Sequence, residues 1–163
     1  LWAYEQDDVI PDVMTLAKAL AGGPPIGALL TTEGLAASLG PGTHGSTFGG
    51  NPLVCAAALA AMQTINEKTL LDNCRAMGAY LTAKLEQLKG KYAFIKEIRG
   101  RGLIIGVELD IEGGPLVVKA MEHGLLMNCT VGNVLRFVPP LIVNRTEIDE
   151  AMTILDEVLA TVC

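Results

Sequence analysis

Apolar residues recur at helical spacing through the second half of the chain. Leu70, Cys74, Met77, Leu81, Leu85 and Leu88 follow one another at intervals of three or four. That spacing puts them on one face of a helix, which is expected to stop near Gly90. Ile148, Met152, Leu155 and Leu159 predict a second amphipathic helix, with Thr146 as its cap and Asp149 at the third position. Between the two lie shorter runs. Residues 94–98 and 103–109 read as strands joined through Arg99-Gly100-Arg101-Gly102. Residues 115–123 read as a helix stopped by Gly124. Residues 125–129 and 134–138 read as a second strand pair turning at Gly132-Asn133. The order helix, strand pair, helix, strand pair, helix predicts a small two-layer α+β domain.

The first part of the chain is patterned differently. A short extended run, 13–17, ends at Lys18, after which Gly22, Gly23, Pro24 and Pro25 force a turn. Residues 26–32 read as a buried strand and 33–39 as a short helix, followed by a glycine-rich loop over 40–50. Asn51 is suited to cap the next helix, with Pro52 at its first position, where a missing N–H costs nothing. Residues 53–65 are apolar nearly all round, which predicts a helix deeply buried or set in a subunit interface. Glu67-Lys68-Thr69 is the first polar break after it. The chain is therefore expected to divide into residues 1–68 and 69–163.

Composition narrows the possible partners. Half of the 163 residues are hydrophobic, which argues against disorder and for surface covered by something beyond this chain. The net charge is −6 and no basic cluster occurs, so nucleic acid and anionic membrane surfaces are not expected partners. The longest fully apolar run, 53–62, is about half of the roughly 20 residues a membrane-spanning helix needs. Cys55, Cys74, Cys129 and Cys163 form no Cys-x-x-Cys pair and no zinc-type spacing with histidine, so they read as reduced thiols of a cytosolic protein. The chain opens on Leu1 without a capping or targeting pattern and reads as a fragment.

Three places carry candidate chemistry. Lys18 sits among Leu16, Ala17, Ala19 and Leu20; desolvation lowers an amine's pKa, and an uncharged amine attacks carbonyls to form a Schiff base. The same pattern also suits a lysine that snorkels to solvent. The loop His44-Gly45-Ser46-Thr47-Phe48-Gly49-Gly50-Asn51-Pro52 exposes backbone N–H groups ahead of a helix, a setting for phosphate or simply a flexible loop. Arg136 lies inside the apolar strand Val134-Leu135-Arg136-Phe137-Val138, where a buried guanidinium calls for an anionic partner, either a ligand or a structural carboxylate; the plainer reading is an arginine on the exposed face of an edge strand. Arg99 and Arg101 read as a solvated turn.

Taken together, Thr15-Leu16-Ala17-Lys18-Ala19-Leu20 with Gly22-Gly23 and Pro25-Ile26-Gly27-Ala28, the His44 to Pro52 loop, and Leu135-Arg136-Phe137-Val138-Pro139-Pro140-Leu141 resemble the motifs of class III aminotransferases. These are fold-type I enzymes that use pyridoxal 5'-phosphate. The resemblance implies an α/β architecture: the end of a large cofactor-binding domain over 1–68, followed by a small two-layer α+β C-terminal domain over 69–163. It implies that Lys18 bears the cofactor and acts catalytically. It also implies that Thr47, with help from Ser46, meets the cofactor phosphate across a homodimer, and that Arg136 meets a substrate carboxylate. Within the family the glycine-rich stretch from Gly100 to Leu109 and the Arg136 segment look most like the acetylornithine aminotransferase subgroup. That subgroup implies exchange of an amino group between N-acetylornithine and 2-oxoglutarate in arginine biosynthesis. Ornithine, succinylornithine and 4-aminobutyrate transaminases share these motifs. The family's acidic partner of the pyridine nitrogen, its stacking aromatic and the rest of its phosphate cup lie upstream of the lysine and have no counterpart here. Two other classes fit the residues less completely: a non-catalytic α/β assembly or ligand-binding module, and an aldolase-type lysine enzyme, which has no use for the phosphate loop.

Overall fold

A computed structural model describes residues 1–162, and the chain divides into two compact units, Leu1–Lys68 and Thr69–Cys163. Cys163 itself lies outside the described residues.

The first unit carries β1 (Val13–Leu16), a 3-10 turn (Lys18–Ala21), β2 (Ala28–Thr31), α1 (Glu33–Ala36) and α2 (Pro52–Ile65). β1 and β2 pair antiparallel, from Val13 opposite Thr31 to Leu16 opposite Ala28. Gly22, at φ 68°, closes the 3-10 turn in the left-handed region, where glycine carries no Cβ penalty. α2 begins as its sequence dictates: Asn51 Oδ1 accepts the N–H groups of Leu53 at 3.0 Å and Val54 at 3.4 Å, and Pro52 follows. One expectation fails in this unit and one is narrowed. β2 is not buried, since Leu29 and Leu30 are exposed, and α2 is not enclosed within the unit, with Leu53 at 78% and Leu59 at 61% exposure, so of its two expected settings the interface is the one left. The physical reason is the same for both. A two-stranded ribbon and one long helix offer no second layer, and Ala21 and Ala58 are the only buried apolar residues described in this unit.

The second unit is built from α3 (Lys68–Lys91), β3 (Ile95–Arg101), β4 (Ile104–Leu109), α4 (Gly114–Glu122), β5 (Asn128–Thr130), β6 (Val134–Phe137) and α5 (Arg145–Ala160). Its strands form one antiparallel sheet in the order β3-β4-β6-β5. Strand alternation sorts the residues. Ile105, Val107 and Leu109 of β4 and Leu135 and Phe137 of β6 enter the core with Leu81 and Leu85 of α3, Leu116 of α4, and Ile148, Met152, Leu155 and Leu159 of α5. The opposite sheet face keeps Glu97, Arg99, Ile104 and Arg136 exposed. This is the two-layer α+β arrangement that the helical and strand periods predict.

Details of this unit depart from the sequence pattern. β3 runs through Arg99, Gly100 and Arg101, and the hairpin turns only at Gly102-Leu103. Gly100, at φ 151°, is required there: a Cβ on it would lie 2.1 Å from the Ile104 carbonyl oxygen. Gly78 of α3 meets the same hairpin, and a Cβ on it would lie 2.2 Å from the Gly102 carbonyl oxygen. Gly78→Ala is expected to destabilise the unit by about 1–3 kcal/mol, because backbone rather than a side-chain tip must move; urea unfolding checks it. The cap of α5 is Asn144, not Thr146. Asn144 Oδ1 accepts the Glu147 N–H at 3.1 Å and the Glu147 carboxylate accepts the Asn144 N–H at 2.8 Å. Both Asn-x-x-Glu and Thr-x-x-Asp satisfy the capping pattern, and the extended backbone of Asn144 decides between them.

Asp149, released from capping, accepts from Tyr80 at 2.8 Å and pairs with Lys84 at 2.7 Å. A second clamp joins α5 to the end of α3. The buried Tyr92 hydroxyl donates to Asp156 Oδ1 at 2.6 Å, and Lys91 Nζ lies 2.7 Å from the same carboxylate. Tyr92→Phe leaves that carboxylate one donor short and is expected to cost about 1–2 kcal/mol. The hydrogen bonds from Lys91 and then Tyr92 hold the Asp156 carboxyl below the usual carboxylate range. A depressed folded-state pKa contributes stability above the unfolded-state value and loses it as pH falls through the folded-state value. Asp156→Asn is therefore expected to flatten the acid limb of melting temperature against pH.

Candidate active site

Lys18 follows β1 by two residues and opens the 3-10 turn, with its backbone at φ 58°. A non-glycine residue in the left-handed region costs on the order of 1 kcal/mol or more and persists only where its surroundings impose it. Here Leu16 and Leu20 are half-buried on either side, while Lys18 is exposed. The apolar neighbours thus anchor the turn; they do not bury the amine, as the run of hydrophobic residues had implied.

The loop ahead of α2 is exposed throughout residues 41–50. Ser46 shapes it, its Oγ accepting the Gly49 N–H at 3.1 Å, while the Phe48 carbonyl accepts the Asn51 N–H at 3.3 Å. The Thr47 hydroxyl makes no hydrogen bond to a described residue. α2 packs against the turn Lys18–Ala21, so the helix led by Ser46 and Thr47 and the turn that carries Lys18 belong to one packed arrangement.

Arg136 belongs to the second unit. It is exposed, as the exposed-face reading has it and not as a buried guanidinium, although β6 is an inner strand of the sheet: Leu135 and Phe137 take the core side and alternation leaves Arg136 on the open face. Its Nε–H donates to Asn128 Oδ1 at 3.1 Å, and no carboxylate among the described residues pairs with it. Beside it opens a mainly apolar cavity of about 450 Å³, whose walls include Leu81, Met127, Phe137, Pro139 and Met152. Arg99 is not a turn residue: it stands exposed on β3 and lies 2.7 Å from Glu97 and 2.5 Å from Glu108. Asn128 opens an Asn-Cys-Thr triplet of the glycosylation type, but no sequence signal ties it to Arg136; the hairpin register places it opposite that arginine. Cys55, Cys74 and Cys129 are free thiols. Among the described residues no helix is long and apolar enough to cross a membrane.

The chain belongs to the class-III aminotransferases: the family Aminotransferase class-III matches residues 1–159. Its particular relatives are narrower. Over 162 residues it is 51% identical to the acetylornithine aminotransferase of Methanocaldococcus jannaschii, covering 99% of this chain and 41% of that protein. The acetylornithine aminotransferase of Caldanaerobacter subterraneus is 50% identical over 163 residues, with 99% and 41% covered. Among solved structures, the ornithine aminotransferase of Toxoplasma gondii, described with partial occupancy of pyridoxal phosphate at its active site, matches with a TM-score of 0.90 at 41% identity, covering 98% of this chain and 39% of that one. The acetylornithine aminotransferase of Elizabethkingia anophelis matches with a TM-score of 0.87 at 32% identity, covering 96% and 43%. The chain therefore spans about two fifths of the length of the relatives it matches.

Proposed function

We propose that this chain forms the lysine-bearing end of the large domain (1–68) and the small C-terminal domain (69–163) of a cytosolic, homodimeric pyridoxal-phosphate transaminase. The enzyme moves an amino group between N-acetylornithine, or a related ω-amino compound, and 2-oxoglutarate in arginine biosynthesis. The observation that carries the reading is Lys18, the motif lysine, held exposed at φ 58° in the turn against which α2 packs. The choice of amino donor rests on the relatives near 50% identity.

The residues present fit the cofactor by the chemistry of their donors. Lys18 supplies an exposed primary amine, Thr47 a hydroxyl with no partner among the described residues, and Ser46 a hydroxyl whose hydrogen remains available while its oxygen shapes the loop. Bound pyridoxal phosphate supplies an electron sink for the substrate's reacting carbon. Lys18 Nζ would hold the cofactor's aldehyde carbon and, once the substrate amine displaces it, carry the proton between the two carbons that exchange it. Thr47 and Ser46 would hold the phosphate, Thr47 at the partner subunit's site. Arg136 would orient a substrate through its carboxylate.

Steady-state rates of the full-length enzyme with N-acetylornithine, succinylornithine, ornithine and 4-aminobutyrate test the assignment. N-acetylornithine is expected to give the highest kcat/KM. The likeness to the Toxoplasma gondii enzyme favours ornithine as the second reading, and a higher kcat/KM for ornithine would replace the first.

A further inference from the structure

The open face of the sheet holds a row of residues that runs straight across all four strands. Arg99 of β3 stands opposite Gly106 of β4, Gly106 opposite Arg136 of β6, and Arg136 opposite Asn128 of β5. Directly opposed residues project from the same face, so these positions form one shelf. Its two arginines differ in what meets their charge. Arg99 is bound by both Glu97 and Glu108. Among the described residues Arg136 is bound by a neutral amide alone.

We infer that Asn128 is a positioning residue for Arg136, setting how that arginine presents itself to a carboxylate; the inference rests on the reading of Arg136 as the substrate's carboxylate partner. A guanidinium has two ways to fork a carboxylate, side-on through Nε and one terminal nitrogen, or end-on through both terminal nitrogens. Nε–H is a donor only, so the group that meets it at 3.1 Å must be the Asn128 carbonyl oxygen. With Nε occupied, the side-on fork is closed and the end-on fork remains. A neutral acceptor does this without discharging the arginine, whereas a carboxylate at position 128 would compete with the substrate for the same charge. Gly106 completes the shelf on the other side: it places no side chain between Arg136 and Arg99, and a Cβ there would already press on Val134 at 3.2 Å. The carboxylate therefore has one arginine to bind, held in one orientation.

The test uses the full-length enzyme and a pair of amino acceptors, a 2-keto acid and the aldehyde that lacks only the carboxylate beside the carbonyl. The reading is the ratio of kcat/KM for the two, measured on one preparation so that any loss of folded enzyme cancels. Asn128→Ala is expected to narrow this preference about tenfold, the size of a lost charge-assisted hydrogen bond, mainly through the KM of the keto acid. Asn128→Asp is expected to narrow it further, because it discharges Arg136. Arg136→Leu, run in parallel, should abolish it. A wild-type ratio in either Asn128 variant, with the ratio lost in Arg136→Leu, overturns the inference and leaves the role of Arg136 standing. A wild-type ratio in Arg136→Leu itself overturns that role and the inference with it.

Discussion

Lys18→Ala in the full-length enzyme is expected to lower kcat by about 10³-fold or more, the range in which a positioned acid–base group is lost. The other lysine described in the first unit is Lys68, which lies at the far end of α2 from the loop. Borohydride reduction of the enzyme loaded with pyridoxal phosphate should leave the label on the peptide that contains Lys18, and Lys18→Ala should abolish that label. Lys18→Gly is a useful companion. It removes the amine but relieves the left-handed backbone, so it should match Lys18→Ala in activity while being the more stable of the two by up to about 1 kcal/mol. A label found on another lysine, or Lys18→Ala with near wild-type turnover, would remove Lys18 from the chemistry.

A second large effect concerns folding. Residues 69–163, expressed alone, are expected to unfold cooperatively, whereas residues 1–68 alone should show no cooperative transition. The physical basis is the distribution of the core: twenty of the described buried apolar residues belong to the second unit, from Met77 to Leu159, against Ala21 and Ala58 in the first. A segment of under 70 residues that buries so little apolar surface cannot offset the conformational entropy of ordering its chain. Hydrogen exchange on the 163-residue chain should read the same division, with slow amides in α3, β4 and α5 and fast ones in α2 and the loop ahead of it. Because the lysine and the phosphate-type loop both lie in the weakly buried unit, this chain alone is expected to show no transamination above the blank. Cooperative melting of residues 1–68, or turnover by the 163-residue chain, would contradict this account.

The misread elements share a cause. Residues 53–65 were legible as a helix, with its cap and its proline, because those signals are local; what covers that helix is not local, and only Ala58 is buried. Residues 26–32 were legible as a strand, but the apolar run could not say that β2 would form one half of an exposed ribbon. Arg99 reads as a turn because of its glycine neighbours, yet Gly100 is there to let β3 and β4 approach, and only Gly102 belongs to the turn. Arg136 was legible as the arginine of a recognisable segment, while its exposure follows from which face of β6 the core occupies.

What the sequence determined by itself was everything set within a few residues. This includes the amphipathic faces of α3 and α5, the boundary near Lys68, the capped start of α2, and the motifs around Lys18, Thr47 and Arg136. The tertiary structure alone decided the strained turn under Lys18, the choice of Asn144 as the last cap, the clamps of Asp149 and Asp156, and the shelf that puts Asn128 beside Arg136. Strand register brings Asn128 beside Arg136, eight positions away. No local propensity encodes that pairing, because it is fixed by which sheet face the core must cover.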